Sequence, residues 1–296
     1  MAQKPEVTGR EILPIPDIPA RGKMAIDARD AEFPPIEPLR PPAGAPNVVI
    51  VLLDDMGFGA PSVHGGPCYM PAYQKIADGG LLYNRFHTTA LCAPTRQALL
   101  TGRNHHSTAM GSIPEAATSA PGETSMRPNT VNTIAEMLRL NGYNTGAVGK
   151  MHQTPVWEVS MSGPFDRWPT GDGFEKFYGF VGGETNQWAP TLYLGTSPVE
   201  PWGTPEEGYH LSEDMVDKAI AWLRGVHTMT PDKPFFMYVS FGGTHAPHHV
   251  SPEWVEKYRG KFDEGWDKVR EETLANMKKK GLVPEDTQLT ERPDGV

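Results

Sequence analysis

The sequence predicts an α/β fold, with a mixed, mostly parallel sheet and helices on both of its faces. Three observations favour this class. An unbroken apolar run occupies residues 48–53 between Pro46 and Gly57, and a short strand that is apolar on both faces is typical of the centre of a parallel sheet. A predicted helix is followed directly by a strand through Val148, and a second long apolar strand occupies residues 234–243. Strands that alternate with helices pack as a sheet covered on both faces.

Short elements follow the first strand. Residues 73–80 are predicted to form a helix that ends at a glycine, and residues 81–89 are predicted to form a strand. The next predicted helix has Pro94 in its first turn and Gly102 as its stop. Residues 103–128 are rich in Gly, Ser, Thr, Pro and Met without a period, which indicates an active-site or surface loop.

The second half of the chain begins with a helix signal. Thr133 and Glu136 have the spacing of a capping box, and the helix is predicted to end at Asn141 and Gly142, before the strand through Val148. The remaining segments are predicted to be loop-dominated over 153–210, an amphipathic helix over 212–226, and charged and mostly helical from Ser251 onward.

The N-terminal segment differs in composition from the rest. Ten of the 30 prolines fall before residue 47, where no helical or alternating apolar period is present. This composition predicts an extended arm over residues 1–45, followed by one folded domain over residues 46–296.

Overall composition limits the classes of partner. The content is 38% hydrophobic and 21% charged, which is ordinary for a soluble globular protein. A formal net charge of −9 argues against a nucleic-acid partner, because phosphate backbones recruit basic surfaces. No apolar stretch has the length of a membrane span or the pattern of a signal peptide, so we expect no membrane partner and a cytoplasmic location.

Polar residues follow three of the predicted strands, where ligands gather in open α/β sheets. Asp54 and Asp55 follow the first, Lys150 and His152 the third, and His245 the last. Two adjacent carboxylates are suitable ligands for Ca²⁺ or Mg²⁺. The same pair is equally consistent with a solvated strand end or the N-cap of a helix. Lys150 and His152 face the same way on an extended segment and could contact one ligand. Taken alone, however, each residue is typical of an ordinary surface position. A histidine placed like His245 suits general acid catalysis near neutral pH.

Cys92 has an unusual setting for a packing residue. It comes just before the helix that Pro94 opens, where free N–H groups and the positive end of the helix dipole stabilise an anion. Arg96 lies four residues on, on the same helical face, and can offer its guanidinium to an oxyanion beside position 92. The sequence contains two cysteines, Cys68 and Cys92, too few for a disulfide framework. The thiol therefore serves either packing or chemistry.

Several motifs together resemble the sulfatase family, in particular the large bacterial arylsulfatases. The stretch "CAPTRQALLTGR" over residues 92–103 is similar to the sulfatase signature, in which Cys-x-Pro-Ser/Thr-Arg precedes a helix that ends in Thr-Gly-Arg. The resemblance also covers "LLDDMGFG", "AVGKMH", "HAP" and "GFEKFYGFVGGETNQW", and it extends over roughly residues 46–250. It implies an alkaline-phosphatase-like fold and a catalytic domain over residues 46–296.

The family resemblance also implies a mechanism. A maturation enzyme that reads Pro94 and Arg96 would oxidise Cys92 to formylglycine (3-oxoalanine), and a hydroxyl of its hydrate would attack the sulfur of a sulfate ester. By the same resemblance Asp54, Asp55 and residue 92 would bind Ca²⁺ or Mg²⁺, His152 would accept a proton and His245 would protonate the leaving oxygen. Arg96 and Lys150 would neutralise negative charge. The resemblance thus implies catalytic roles for Cys92, Arg96, Lys150, His152 and His245, and metal-binding roles for Asp54, Asp55 and Cys92.

One departure from the family limits this expectation. Family members complete the metal site with an Asp-Asn or Asp-His pair and add a second lysine downstream, and this sequence has no such dipeptide. The resemblance therefore implies the N-terminal part of a longer arylsulfatase, with a sheet that is incomplete at its C-terminal end. Two alternatives remain open: a phosphonate or phosphate ester hydrolase of the same superfamily, and a non-catalytic fragment that binds an anion.

Overall fold

The computed structural model describes residues 22–292 and divides the chain into two compact units, Met1–Leu39 and Arg40–Val296. In the first unit, Lys23 and Glu32 form an antiparallel bridge around the short 3-10 helix Ala28–Asp30. The predicted arm over residues 1–45 lies partly outside the described residues, so the arm and the boundary at residue 46 stay predictions. The features below belong to the second unit.

Within the described residues, the second unit contains a six-stranded sheet and helices of very different lengths. The strands are β1 (Val48–Leu52), β2 (Asn144–Lys150), β3 (Lys176–Phe180), β4 (Leu192–Leu194), β5 (Ser197–Val199) and β6 (Phe235–Ser240). The α-helices are α1 (Pro71–Asp78), α2 (Cys92–Thr101), α3 (Ile134–Leu140), α4 (Leu211–Met229), α5 (Pro252–Glu256) and α6 (Trp266–Lys279). Short 3-10 helices include Pro114–Ala116 in the loop that follows α2.

The strand order is β1-β6-β2-β3-β4-β5, and the first four strands in this order run parallel. β4 and β5 form an antiparallel extension at one edge. Leu52 of β1 and Gly149 of β2 both lie beside Ser240 of β6, so the three strands end at nearly the same level. The mixed, mostly parallel sheet that the sequence predicts is confirmed, and its parallel strands place their carboxyl ends together.

A hydrophobic core covers each face of the sheet. On one face, Leu100 of α2 and Ala135 of α3 pack with side chains that include Phe236 and Tyr238. On the other face, α4 packs against Val148, Tyr178 and further sheet residues. Helices therefore cover both faces, as predicted. Because α2 is held against the sheet through Leu100, the start of this helix is fixed beside the strand ends.

Two glycines allow the central strands to approach closely where the site is built. Gly149 has a φ of +93°, and a Cβ added there would lie 1.9 Å from the carbonyl oxygen of Ser240. A Cβ at Gly179 of β3 would lie 2.1 Å from the carbonyl oxygen of Gly149. Only residues without a side chain fit at these contacts, since real Cβ atoms do not approach oxygen so closely.

Several sequence predictions agree with the structure. Gly102 adopts a left-handed conformation directly after α2, and the Thr133 hydroxyl accepts a hydrogen bond from the Glu136 amide at the start of α3. α2 begins at Cys92 itself, two residues before Pro94. Cys92 is therefore the first residue of the helix, closer to its free N–H groups than predicted.

Other predictions are wrong for identifiable reasons. Residues 81–89 form no strand, and their large apolar side chains are exposed, because no neighbouring strand pairs with them. β1 lies at an edge of the described sheet and not at its centre, and Val49 and Val51 are about half exposed at 50% and 55%. The segment 153–210 is loop-dominated, as predicted, but it also contains the short strands β3, β4 and β5, which the many Gly, Pro and Trp residues concealed. Among the described residues, no helix combines the length and hydropathy that a bilayer span requires.

The glycine contact between β2 and β6 makes a stability prediction. Gly149→Ala should lower the free energy of unfolding by about 3 kcal/mol or more, because the new methyl group overlaps the Ser240 carbonyl and the positive φ opposes a side chain. Gly225→Ala is the matched control, since Gly225 is an exposed position of α4 with open space around it; this change should stabilise by about 0.5–1 kcal/mol. Urea unfolding of both variants checks the pair, and equal midpoints for the two would contradict it.

Candidate active site

The polar residues predicted from the sequence gather at the carboxyl ends of the parallel strands. Asp54 follows β1, Lys150 is the last residue of β2, and Ser240 is the last residue of β6. α2 starts at the same edge and brings Cys92 and Arg96 to it. The structure thus builds the site where ligands bind in open α/β sheets.

Asp54 forms two buried ion pairs. Its Oδ1 accepts a hydrogen bond from Arg96 Nη2 at 2.9 Å, and its Oδ2 accepts one from Lys150 Nζ at 2.5 Å. The side chains of Asp54, Arg96 and Lys150 are 3%, 1% and 0% exposed. Buried charges are tolerated only when they are paired, so this carboxylate is needed to hold two cations in the protein interior.

Arg96 connects three elements at this edge of the sheet. Its Nη1 donates to the carbonyl oxygen of Lys150 at 3.1 Å and also to the hydroxyl of Ser240. The Tyr238 hydroxyl lies 3.5 Å from the same nitrogen. The guanidinium therefore ties α2 to β2 and β6, while its other terminal nitrogen contacts Asp54. One nitrogen, Nε, has no hydrogen-bond partner among the described residues.

The charge of this buried cluster is unbalanced. Arg96 and Lys150 contribute two formal positive charges, and Asp54 contributes one negative charge. The excess positive charge lies in a poorly solvated region beside the N-terminal end of α2, whose free N–H groups also favour negative charge. An anionic group of a substrate would neutralise this excess positive charge.

Cys92 and His152 form the second part of the site. Cys92 Sγ lies 2.9 Å from His152 Nδ1, and on the other side of the ring His152 Nε2 lies 2.8 Å from Glu115 Oε2. His152 is only 4% exposed and has a φ of +53°, a left-handed conformation that is uncommon for a residue with a side chain. Such backbone strain is frequent at functional sites.

The surroundings shift the pKa values of His152 and Glu115. Burial lowers the pKa of His152, and the nearby charges of Lys150 and Arg96 lower it further, while the contact with Glu115 opposes this change. Burial acts to raise the pKa of Glu115, but its hydrogen bond to His152 and the positive charge nearby outweigh burial, so this pKa lies below its usual value. A neutral imidazole beside an ionised carboxylate is the form that these shifts favour at neutral pH.

His245 and Asp55 lie outside the buried cluster. His245 Nε2 is 3.7 Å from Asp55 Oδ2, and its Nδ1 donates to the carbonyl oxygen of Ala246 at 2.6 Å. Glu184 Oε2 lies 3.8 Å from the same Nδ1. Asp55 is 58% exposed, in contrast to Asp54. The side chain of His245 remains partly accessible, which suits a group that exchanges a proton with a bound ligand.

The described residues do not by themselves fit the predicted Ca²⁺ or Mg²⁺. No group of three or more His, Cys, Asp or Glu side chains within residues 22–292 could hold a metal ion. The oxygens of Asp54 already face two cations, and Asp55 contacts His245 instead. Divalent calcium takes six or more oxygen ligands, so two carboxylates in this arrangement provide too few donors. The metal-binding roles of Asp54, Asp55 and Cys92 stay a prediction.

Sequence reasoning missed several residues that complete the site. Ser240 and Tyr238 contact Arg96, while Glu115 and Glu184 face the two histidines. Ser240 had a detectable signal, since it ends an apolar strand and so falls at the same sheet edge as the other polar residues. Glu115 and Glu184 lie in irregular segments, where no period indicates the direction of a side chain.

Comparisons with known proteins agree with this geometry. The family model described as Sulfatase matches residues 46–291. An arylsulfatase of Klebsiella aerogenes is 29% identical over 258 residues, which cover 82% of this chain and 52% of that protein. Arylsulfatase A of Homo sapiens is 30% identical over 244 residues, which cover 74% and 45% respectively. The chain therefore spans about half the length of these relatives.

A solved structure shows the same fold. This protein, whose structure was solved in complex with its substrate D-glucosamine-2-N,6-O-disulfate, is 21% identical to this chain with a TM-score of 0.55. The match covers 73% of this chain and 38% of the other. The likeness confirms the predicted alkaline-phosphatase-like fold class.

The buried ion pairs predict unequal roles for two neighbouring carboxylates. Asp54→Asn should reduce the free energy of unfolding by about 3–5 kcal/mol, because it leaves Arg96 and Lys150 buried without a counter-charge. Asp55→Asn should change it by less than about 1 kcal/mol, since the side chain is exposed and forms only a long contact with His245. Chemical denaturation of both variants measures the difference. A destabilisation by Asp55→Asn as large as that by Asp54→Asn would contradict this assignment.

Proposed function

Because the chain belongs to the sulfatase family, we propose that it contributes the catalytic centre of a sulfuric ester hydrolase of arylsulfatase type, with residue 92 as the reacting position. One observation carries the proposal. Cys92 is the first residue of α2 and contacts a buried histidine, beside a cluster with excess positive charge. This arrangement combines a nucleophile position, a proton acceptor and an anion site, which transfer of a sulfate group requires.

Formylglycine made from Cys92 fits this position. The Sγ atom lies within hydrogen-bond distance of His152 Nδ1, so a hydroxyl placed there would have a partner for its proton. The hydrated aldehyde would supply two hydroxyl groups on one carbon, one suited to attack on sulfur and one whose proton could be removed to release sulfate. The cysteine is the precursor of this group, and a formylglycine-generating maturation enzyme is the proposed partner.

The burial of Arg96 affects when such an enzyme acts. Pro94 and Arg96 belong to the motif that the maturation enzyme is expected to read, and Arg96 is 1% exposed in the folded chain. An enzyme that contacts this side chain needs access to it before α2 packs on the sheet. We therefore place the oxidation of Cys92 before folding of the domain.

Each side chain of the site has a separate role in the proposed reaction. His152 Nδ1 accepts the proton from the group at position 92, and its lowered pKa keeps it neutral and able to do so at neutral pH. Arg96 and Lys150 stabilise the negative charge of the sulfate oxygens. His245, which is partly exposed, donates a proton to the leaving oxygen of the alcohol or phenol. No step is assigned to Ca²⁺ or Mg²⁺, because the described residues do not fit the ion alone.

The proposed substrates are small sulfate esters. The Klebsiella aerogenes relative is named an arylsulfatase, and the solved structure contains a sulfated sugar as its substrate. An aryl sulfate is therefore a suitable probe for the reaction, although the natural ester could be of either class. The cytoplasmic location, and the lack of nucleic-acid and membrane partners, stay predictions from composition.

The two alternatives differ from the proposal in measurable ways. A phosphate or phosphonate ester hydrolase of the same superfamily would use the same residues, and the excess positive charge suits those anions equally well. A non-catalytic fragment would bind an anion without turnover, and the match to about half the length of the relatives is the observation in its favour.

The two cysteines provide a test with a matched control. In protein produced with a maturation enzyme, Cys92→Ala should abolish hydrolysis of an aryl sulfate, because no reacting group remains at the start of α2. Cys68→Ala should leave the rate unchanged, since Cys68 lies in the bridge with Pro61 and belongs to none of the site contacts. Initial rates are measured on matched aryl sulfate, phosphate and phosphonate esters.

Each outcome separates the alternatives. Loss of aryl sulfate hydrolysis in Cys92→Ala alone supports the proposal. Hydrolysis that persists in Cys92→Ala refutes the role of residue 92. A higher rate on the phosphate or phosphonate ester than on the sulfate ester favours the phosphate or phosphonate ester hydrolase. If the unchanged protein and Cys68→Ala bind sulfate but hydrolyse no ester, the non-catalytic fragment is favoured.

A further inference from the structure

Glu115 occupies a position that the proposed mechanism does not use. It lies in the 3-10 helix Pro114–Ala116 within the long loop after α2, and its two carboxylate oxygens are 2.8 and 3.1 Å from His152 Nε2. We propose that Glu115 is a positioning residue, which holds His152 in the tautomer and orientation that present Nδ1 to residue 92. This inference rests on the proposed function, in which His152 accepts a proton through that atom.

The hydrogen-bond chemistry fixes the tautomer. An ionised carboxylate has acceptor oxygens and no donor, so His152 Nε2 must carry the hydrogen that joins the two groups. In a neutral imidazole the other nitrogen then has a free lone pair. That nitrogen is Nδ1, which lies 2.9 Å from Cys92 Sγ. Without Glu115 the proton could occupy Nδ1 instead, and the ring would offer residue 92 a donor where the reaction needs an acceptor.

Packing around the ring supports the same orientation. A Cβ added at Gly183 would lie 2.8 Å from both Cε1 and Nε2 of His152, and 3.3 Å from Glu115 Oε1. Gly183 therefore lies directly against the edge of the imidazole that faces Glu115. Its missing side chain leaves room for the contact between carboxylate and ring.

The exposure of Glu115 argues against a purely structural role. The side chain of Glu115 is 47% exposed, whereas that of His152 is 4% exposed. Ion pairs with a solvent-exposed partner contribute little to stability. Pro114, the neighbouring residue, is buried and anchors this turn of the loop without help from the carboxylate. The contact is therefore better explained by its effect on His152.

The first test observes the tautomer directly and does not depend on turnover. Protein labelled with ¹⁵N-histidine is compared with Glu115→Ala and with Glu115→Met, which keeps the side-chain volume but removes the acceptor. The His152 signals are identified by their loss in His152→Asn. We expect a neutral ring protonated at Nε2 in the unchanged protein, and a mixture or reversal of the tautomers in both variants. Identical His152 nitrogen shifts in all three proteins would overturn the proposal.

The second test measures the consequence for the reaction. In formylglycine-containing protein, Glu115→Ala and Glu115→Met should lower kcat for an aryl sulfate by about 10- to 100-fold, the usual cost of losing a carboxylate that orients a functional histidine. KM should change little, because Glu115 contacts no substrate-binding cation. Glu115→Asp should recover part of the loss. Glu123→Gln is the matched control: Glu123 lies in the same loop, 3.6 Å from His106, and its variant should retain the full rate.

The two measurements separate failure of this inference from failure of the proposed function. If unchanged formylglycine-containing protein hydrolyses no sulfate ester, the proposed function fails, and the nitrogen shifts still decide whether Glu115 sets the tautomer. If that protein is active and both Glu115 variants match it in kcat, the positioning role is refuted while the function stands. A similar loss in Glu123→Gln would assign the effect to the loop as a whole and would also refute it.

Discussion

The buried contact between Asp54, Arg96 and Lys150 is the constraint on which the site depends. These side chains come from the end of β1, the first turns of α2 and the end of β2, and Arg96 also reaches Ser240 at the end of β6. Since a buried cation without a counter-charge is very unfavourable, the three elements must meet in one arrangement. That arrangement sets the start of α2, and with it Cys92, at the edge of the sheet. The positions of the reacting residue and of the anion site thus have one physical origin.

The same contact gives Asp54 a structural role in addition to the metal-binding role that the sequence predicts, which stays a prediction. The sequence suggested a metal ligand, and the structure shows a carboxylate with both oxygens directed at cations. The proposed function depends on the excess charge, because two cations against one carboxylate favour an anion beside the helix N-terminus. In the proposed reaction, proton transfer is assigned to residue 92 and His152, and Glu115 orients the histidine through its contact with Nε2.

Much of the fold could be predicted because its signals are local. Apolar runs identify β1 and β6, and the caps at Thr133 and Gly102 delimit α3 and α2. The strand ends also predicted that Asp54 and Lys150 would lie at the same edge of the sheet, where they form an ion pair. The strands in residues 153–210 could not be found, because β4 and β5 have only three residues each and Gly179 interrupts the side-chain pattern of β3. Glu115 could not be found either, since 37 residues separate it from His152 and only the folded loop brings them together.

The central claim is that residue 92, next to this positive charge, reacts as an aldehyde derived from its thiol. Peptide mass spectrometry over residue 92, on protein that is hydrolysing an aryl sulfate, tests it most directly. The claim predicts a peptide whose mass corresponds to a CHO side chain in place of CH₂SH. Across preparations made with and without a maturation enzyme, the fraction of this peptide should rise with the rate of aryl sulfate hydrolysis. Protein that hydrolyses aryl sulfate while every such peptide retains the unmodified thiol would contradict it.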